Sequence, residues 1–155
     1  MFGGNIKQVI YDSFGLPVSV LKVQKIDRAP LKSKEVRVSI LVTPIHPSDL
    51  LKISGQYGIL ANPPEVPGAE GVGVVVETAS DVQHLRVGQR VFIAGYGTWQ
   101  QEVVGPEESF IALPTTDIAA LAELLTQSKN VEIGTVRGYY YHDDELFKRH
   151  DFSSE

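Results

Sequence analysis

Cysteine is absent from all 155 residues, so no disulfide can staple the fold and no thiolate can serve as nucleophile or metal ligand. Basic charge is also scarce. Fourteen Lys and Arg stand against 19 Asp and Glu, a formal net charge of −5, and no Lys/Arg cluster forms a surface for phosphate backbones or anionic lipid. Nucleic acid is excluded as a partner on that ground. No apolar run approaches the ~18 residues of a membrane span, and no charged N-terminal stretch leads into a secretory-type core. The expectation is a soluble, unprocessed cytoplasmic chain with no membrane partner.

What is present points to strands. The chain is 43% hydrophobic, and its 14 glycines and nine prolines fall mostly between short runs rich in Val and Ile. Ile6–Tyr11 and Val18–Ile26 flank Gly15-Leu16-Pro17 and are expected to form an opening hairpin. Glu35–Thr43 starts with alternating charged and apolar residues and then turns fully apolar, as a strand entering a core does. Gly71–Thr78, Gln89–Ala94, Trp99–Val104 and Phe110–Leu113 supply four further candidate strands. About seven strands in the first ~115 residues predict a partly closed barrel.

Helical signals are few. Pro47, Ser48 and Asp49 sit where a first turn accepts proline and acid, and Gly55 marks the end of a short helix. From Asp117 a second helix is expected, with Ala119, Ala120, Leu121, Leu124 and Leu125 at helical spacing. Val131–Tyr141 is expected to be a strand, and His142–Glu155 a charged tail with a helical first part. The expected fold is mainly β: a barrel domain over 1–115 and a helix-strand extension over 116–155.

Three linked motifs carry a family likeness. Pro44-Ile45-His46-Pro47-Ser48-Asp49-Leu50-Leu51, then Gly55-Gln56-Tyr57-Gly58, then Val66-Pro67-Gly68-Ala69-Glu70-Gly71-Val72-Gly73 together resemble the medium-chain dehydrogenase/reductase superfamily. Val87-Gly88-Gln89-Arg90-Val91, Gly97-Thr98-Trp99-Gln100-Gln101 and Phe110-Ile111-Ala112-Leu113-Pro114 extend the likeness over residues 1–115. It is nearest the quinone oxidoreductase and 2-enoyl thioester reductase branch. The resemblance implies a GroES-like partly closed barrel and NADPH-linked reduction of an enoyl thioester or quinone.

The same comparison implies an absence of zinc. Zinc-dependent relatives carry Gly-His-Glu where this chain has Gly68-Ala69-Glu70, and a Cys near His46. Alanine cannot ligate, and His46, His84, His142 and His150 show no ligand spacing.

Tyr57 is the proton-donor candidate that the resemblance implies, since a phenol donates a hydrogen bond without ionising at neutral pH. Without the family match, a loop tyrosine with its hydroxyl in water would be the simpler account. His46 stands where relatives carry an Asn that can face substrate or nicotinamide ribose, and it adds a group that titrates. Ser48 and Asp49 continue the motif, with helix-start capping as the favoured role for each. Trp99 could line an acyl pocket, but the chain's only tryptophan is expected to anchor the core. Glu70 has apolar neighbours and, if buried, needs donors. Arg137-Gly138-Tyr139-Tyr140 is similar to a late, dimer-forming strand of the superfamily, which places Tyr140 beside a substrate or cofactor and predicts homodimerisation through Val131–Tyr141.

A dinucleotide fold would follow Leu113-Pro114 in such a relative, with a glycine-rich loop for the pyrophosphate. The last forty residues hold only Gly134 and Gly138, which cannot make that loop. No cofactor-binding loop is expected. The chain alone is therefore expected to bind NADPH weakly or not at all, and to be either an oxidoreductase domain inactive by itself or a non-catalytic binding or dimerisation module.

Overall fold

The computed structural model describes residues 4–114, together with the backbone of 138–142 and 145–150. In chain order the elements are β1 (Asn5–Ile10), α1 (Pro17–Val20), β2 (Lys22–Asp27), β3 (Glu35–Val42), α2 (Pro47–Ser54), β4 (Glu70–Thr78), β5 (Arg90–Ala94), β6 (Glu102–Pro106), β7 (Phe110–Ala112), β8 (Gly138–His142) and β9 (Glu145–His150).

β6-β3-β4-β5-β7 form one antiparallel sheet that curls into a half-barrel. Its curvature has local causes. The β3–β4 register shifts between Arg37 and Val38 and again between Ile40 and Val42, and each shift bends the strand. Gly73 brings β4 so near β3 that a Cβ there would lie 2.5 Å from the Ser39 carbonyl oxygen. Val36, Val38, Ile40, Val75, Val91, Ile93, Val103 and Phe110 fill the concave side, so the mainly β, partly closed barrel is present as expected.

β1 and β2 pair antiparallel from Asn5 opposite Asp27 to Ile10 opposite Lys22. The opening hairpin therefore exists, but its second arm begins at Lys22 and not at Val18. Pro17 takes the first position of a helical turn, and the Leu21 amide donates to the Pro17 carbonyl, which removes Val18–Val20 from the strand.

The far end of this hairpin is fixed by charge. Arg37, 3% exposed, donates to Glu77 at 2.7 Å and to the Ala29 carbonyl, while Arg28 makes a two-pronged pair with Glu102. Glu102 also lies 3.7 Å from the Arg37 guanidinium, so two carboxylates offset the charge that burial would otherwise penalise.

Two further expectations need correcting. Trp99 and Gln100 precede the strand expected at 99–104, which instead runs from Glu102 to Pro106, because the Trp99 side chain turns into the core. Residues 145–150, expected to lie in or near a helical stretch, form a strand: β9 pairs with β8 from Gly138 opposite His150 to His142 opposite Glu145. The helix expected from Asp117 and the 131–137 part of the expected strand lie outside the described residues, while 138–142 is a strand.

Glu107 shows how a loop is held without secondary structure. Its carboxylate accepts the backbone amides of Gln83, His84 (2.6 Å) and Leu85, and these bonds hold the carboxyl below the ordinary glutamate range. A depressed folded-state value means stability that is full above the ordinary glutamate value and lost as pH falls through the folded one. Glu107→Gln is expected to lower the urea midpoint at pH 7, with the gap to wild type closing as pH falls below both values. A gap that stays constant down to pH 2 would show that the charge is irrelevant.

Candidate functional site

The site is organised around the start and end of α2. Pro47 occupies the first helical position, and the Asp49 carboxylate reaches back to accept the His46 amide at 2.8 Å. Asp49 is 2% exposed; burial pushes its carboxyl up, against bonds from the backbone amides of His46 and Ala69. The Ala69 bond joins the helix start to the entry of β4. At the other end Gly55 adopts φ 74°, and the Gln56 amide donates back to the Leu51 carbonyl at 2.9 Å.

A pocket of about 120 Å³ opens beside the helix, lined by Tyr11, Asp49, Lys52, Glu65, Gly68 and Gly97 among others. Tyr11 and Glu65 are locked together by reciprocal backbone bonds of 3.2 and 3.1 Å. Burial, and secondarily the Glu65 charge, push the Tyr11 phenol up. Tyr11, 1% exposed, is thus kept neutral beside two carboxylates and one ammonium.

Behind the pocket runs a compact polar chain. His46 Nε2 lies 3.0 Å from Glu70 Oε2, which supplies the partner expected for that acid. The hydroxyls of Thr43 and Thr98 are 2.7 Å apart, and both lie within hydrogen-bond distance of the Glu70 carbonyl, at 2.9 and 2.8 Å. Each hydroxyl has one proton, so one donates to that carbonyl and the other to its neighbour.

The candidates singled out from sequence separate into different roles. Trp99 is 5% exposed, packs with Tyr11 and Ile53, and donates from Nε1 to the Pro44 carbonyl at 3.3 Å, as a core anchor does. Capping belongs to Asp49. Ser48 is at the second helical position, half-buried, and its hydroxyl has no hydrogen-bond partner among the described residues. Tyr57 stands on the exposed run after α2, 37% exposed, with Lys52 Nζ 6.0 Å from its ring centre and no protein partner for its hydroxyl among the described residues. Tyr140 lies in β8, and its side chain falls outside the described residues.

Sequence reasoning passed over Tyr11, Lys52, Glu65 and the Thr43–Thr98 pair. Only Lys52 left a signal, as a cation in the last turn of a short helix. Among the described residues no group of three or more His, Cys, Asp or Glu is placed to hold a metal ion, and no helix is long and apolar enough to cross a membrane.

Comparison with known proteins agrees with this architecture. Residues 32–115 match the alcohol dehydrogenase GroES-like domain. The human mitochondrial enoyl-[acyl-carrier-protein] reductase is 38% identical over 112 residues, which are 71% of this chain and 30% of that protein. Its Xenopus tropicalis counterpart is 39% identical over 109 residues, 69% of this chain and 31% of that one. A solved enoyl thioester reductase from Candida tropicalis superposes with a TM-score of 0.65 at 30% identity, over 72% of this chain and 34% of that one. A Bacillus thuringiensis protein assigned as an NADPH:quinone reductase superposes at 0.67 with 34% identity, over 83% of this chain and 42% of that one. The chain therefore spans about a third of the length of its enoyl reductase relatives. With the family model covering residues 32–115 on a half-barrel of the matching kind, the chain belongs to the alcohol dehydrogenase GroES-like domain family of the medium-chain dehydrogenase/reductase superfamily.

Proposed function

We propose that residues 1–115 are the substrate-facing domain of a zinc-independent, NADPH-linked reductase of activated C=C bonds in enoyl thioesters or quinones, and that residues 1–155 alone are inactive. The observation that carries the reading is Tyr57: an accessible phenol without a protein partner among the described residues, set directly after α2 in the motif that resembles the reductases. Such a hydroxyl suits a substrate oxygen on which negative charge develops. The relatives support the substrate class, since they are named enoyl reductases and one matching structure is a complex with NADP and crotonyl-CoA. His46 and Ser48 flank the same helix start, but His46 is engaged by Glu70, so Tyr57 is the stronger candidate for contact with substrate.

The described residues do not fit a dinucleotide's pyrophosphate. Such a group needs free amides at a helix start after a glycine-rich turn. At α2 the first helical position is proline, and the start is occupied by the chain's own Asp49 carboxylate, which repels phosphate. α1 is four residues long. Zinc independence rests on Ala69 and on the His46–Glu70 pairing, in which the imidazole Nε2 is already engaged.

Titrating NADPH fluorescence with residues 1–155 is expected to show no saturation at micromolar concentrations, and crotonyl-thioester and quinone assays no turnover. Micromolar binding with turnover would overthrow the inactivity of the isolated polypeptide. Wherever turnover is found, Tyr57→Phe is expected to reduce kcat by about 100-fold; an unchanged rate would remove Tyr57 from the chemistry.

A second reading, a non-catalytic binding or dimerisation module, is favoured by one specific feature. Leu50, Leu51, Ile59 and Leu60 are exposed around the end of α2, the last two at 76% and 65%. Exposed apolar side chains gathered in this way invite a partner. β8 and β9 also form a separate two-stranded sheet in which neither pairs with a further strand among the described residues, and one relative's structure is a heterodimer. Light scattering that returns a monomer at all concentrations would end the homodimer proposal. The relatives bear mitochondrial names, so fractionation of the tagged chain between cytoplasm and mitochondria decides the cytoplasmic assignment.

A further inference from the structure

Lys52 is the residue that connects the pocket to Tyr57. It stands in the last turn of α2, half-buried, and lines the pocket together with Asp49 and Glu65, with its charge acting on the Asp49 carboxyl. The same ammonium lies 6.0 Å from the centre of the Tyr57 ring, at the outer range of a cation–π contact. Local backbone geometry makes the meeting possible. Gly55 at φ 74° reverses the chain and the Gln56–Leu51 bond fastens the reversal, which returns Tyr57 to the side of α2 that carries Lys52.

We infer that Lys52 is the positioning residue for Tyr57, holding its ring against the end of α2 so that the hydroxyl is presented to a ligand. This rests on the proposed role of Tyr57 as a substrate contact. Residues 56–60 are all exposed, and the Lys52 ammonium is the partner found for the Tyr57 ring among the described residues. A tyrosine on such a run, without that partner, would sample many rotamers and lose presentation.

The test uses the whole 155-residue chain with ring-¹³C-labelled tyrosine, the Tyr57 signal being assigned by its loss in Tyr57→Phe. Lys52→Arg is expected to keep the wild-type Tyr57 ring shift, and Lys52→Met to move it toward that of a free tyrosine while Trp99 fluorescence stays native. With S-crotonyl-N-acetylcysteamine, a thioester without phosphate, Lys52→Met weakens binding about threefold and Lys52→Arg less than twofold. In a Tyr57→Leu background Lys52→Met has no further effect. An unmoved Tyr57 signal in Lys52→Met would overturn the inference, as would an equal weakening in the Tyr57→Leu background, which would put Lys52 in direct contact with ligand. If the thioester binds no variant but the ring signal still depends on Lys52, the positioning stands and the substrate reading of the site falls.

Discussion

Trp99→Ala is expected to destabilise the protein by about 3–5 kcal/mol, the range for truncating a well-packed aromatic side chain. Trp99 packs with Tyr11 and Ile53, which are 1% and 0% exposed, so truncation leaves a cavity among fully buried side chains. Its indole N–H would also leave the Pro44 carbonyl without that donor. Trp99→Phe keeps most of the apolar contact and is expected to cost less than half as much. Because Trp99 is the chain's sole tryptophan, unfolding must be followed by far-ultraviolet circular dichroism in denaturant. A loss below about 1 kcal/mol for the alanine variant would mean that the ring lines a ligand site and does not hold the core.

Gly68→Ala is expected to cost about 3 kcal/mol or more, from two separate causes. The residue has φ 103°, a conformation that side chains disfavour, and a Cβ there would lie 2.4 Å from Thr98 Oγ1 and 2.5 Å from Trp99 Cδ1. Gly88 separates the two. It has φ 89° with nothing within 4 Å of the added carbon, so Gly88→Ala reports the backbone cost alone, about 1 kcal/mol. Gly97→Ala reports the opposite case: no positive φ, but a Cβ 2.2 Å from the Val66 carbonyl oxygen, a backbone atom that cannot yield cheaply. Equal losses at Gly68 and Gly88 would refute close packing between the β4 entry and the Thr98-Trp99 turn.

These two residues show why the motif glycines were hard to interpret from sequence. Gly68, Gly71 and Gly73 sit in one strand-like run, and either barrel curvature or a ligand's close approach would account for them. The structure assigns two of them to packing of the chain on itself, Gly68 against Thr98 and Trp99 and Gly73 against Val38 and Ser39. α2 was legible because each of its signals is local: proline at the first position, an acid three residues after the cap, glycine after the end. The second arm of the opening hairpin was misplaced because β-branched Val18 and Val20 favour strand, whereas Pro17 dictates a helical turn whose closing bond strand propensity does not report. The 145–150 segment failed in the same way: its charge pattern was compatible with a helix, but cross-strand pairing with Gly138–His142 decided the outcome.

The sequence by itself determined the β-rich half-barrel, the short capped helix and the place of Tyr57 after it, because periodicity, proline, glycine and acid at helix ends act over a few residues. It also ruled out thiolate chemistry through composition alone. Only the tertiary structure decided that Tyr11, Lys52 and Glu65 share a pocket with Asp49 and that Glu70 answers His46. Those pairings join residues far apart in the chain. They depend on sheet curvature and strand register, quantities set by packing the whole core at once, and no local pattern encodes them.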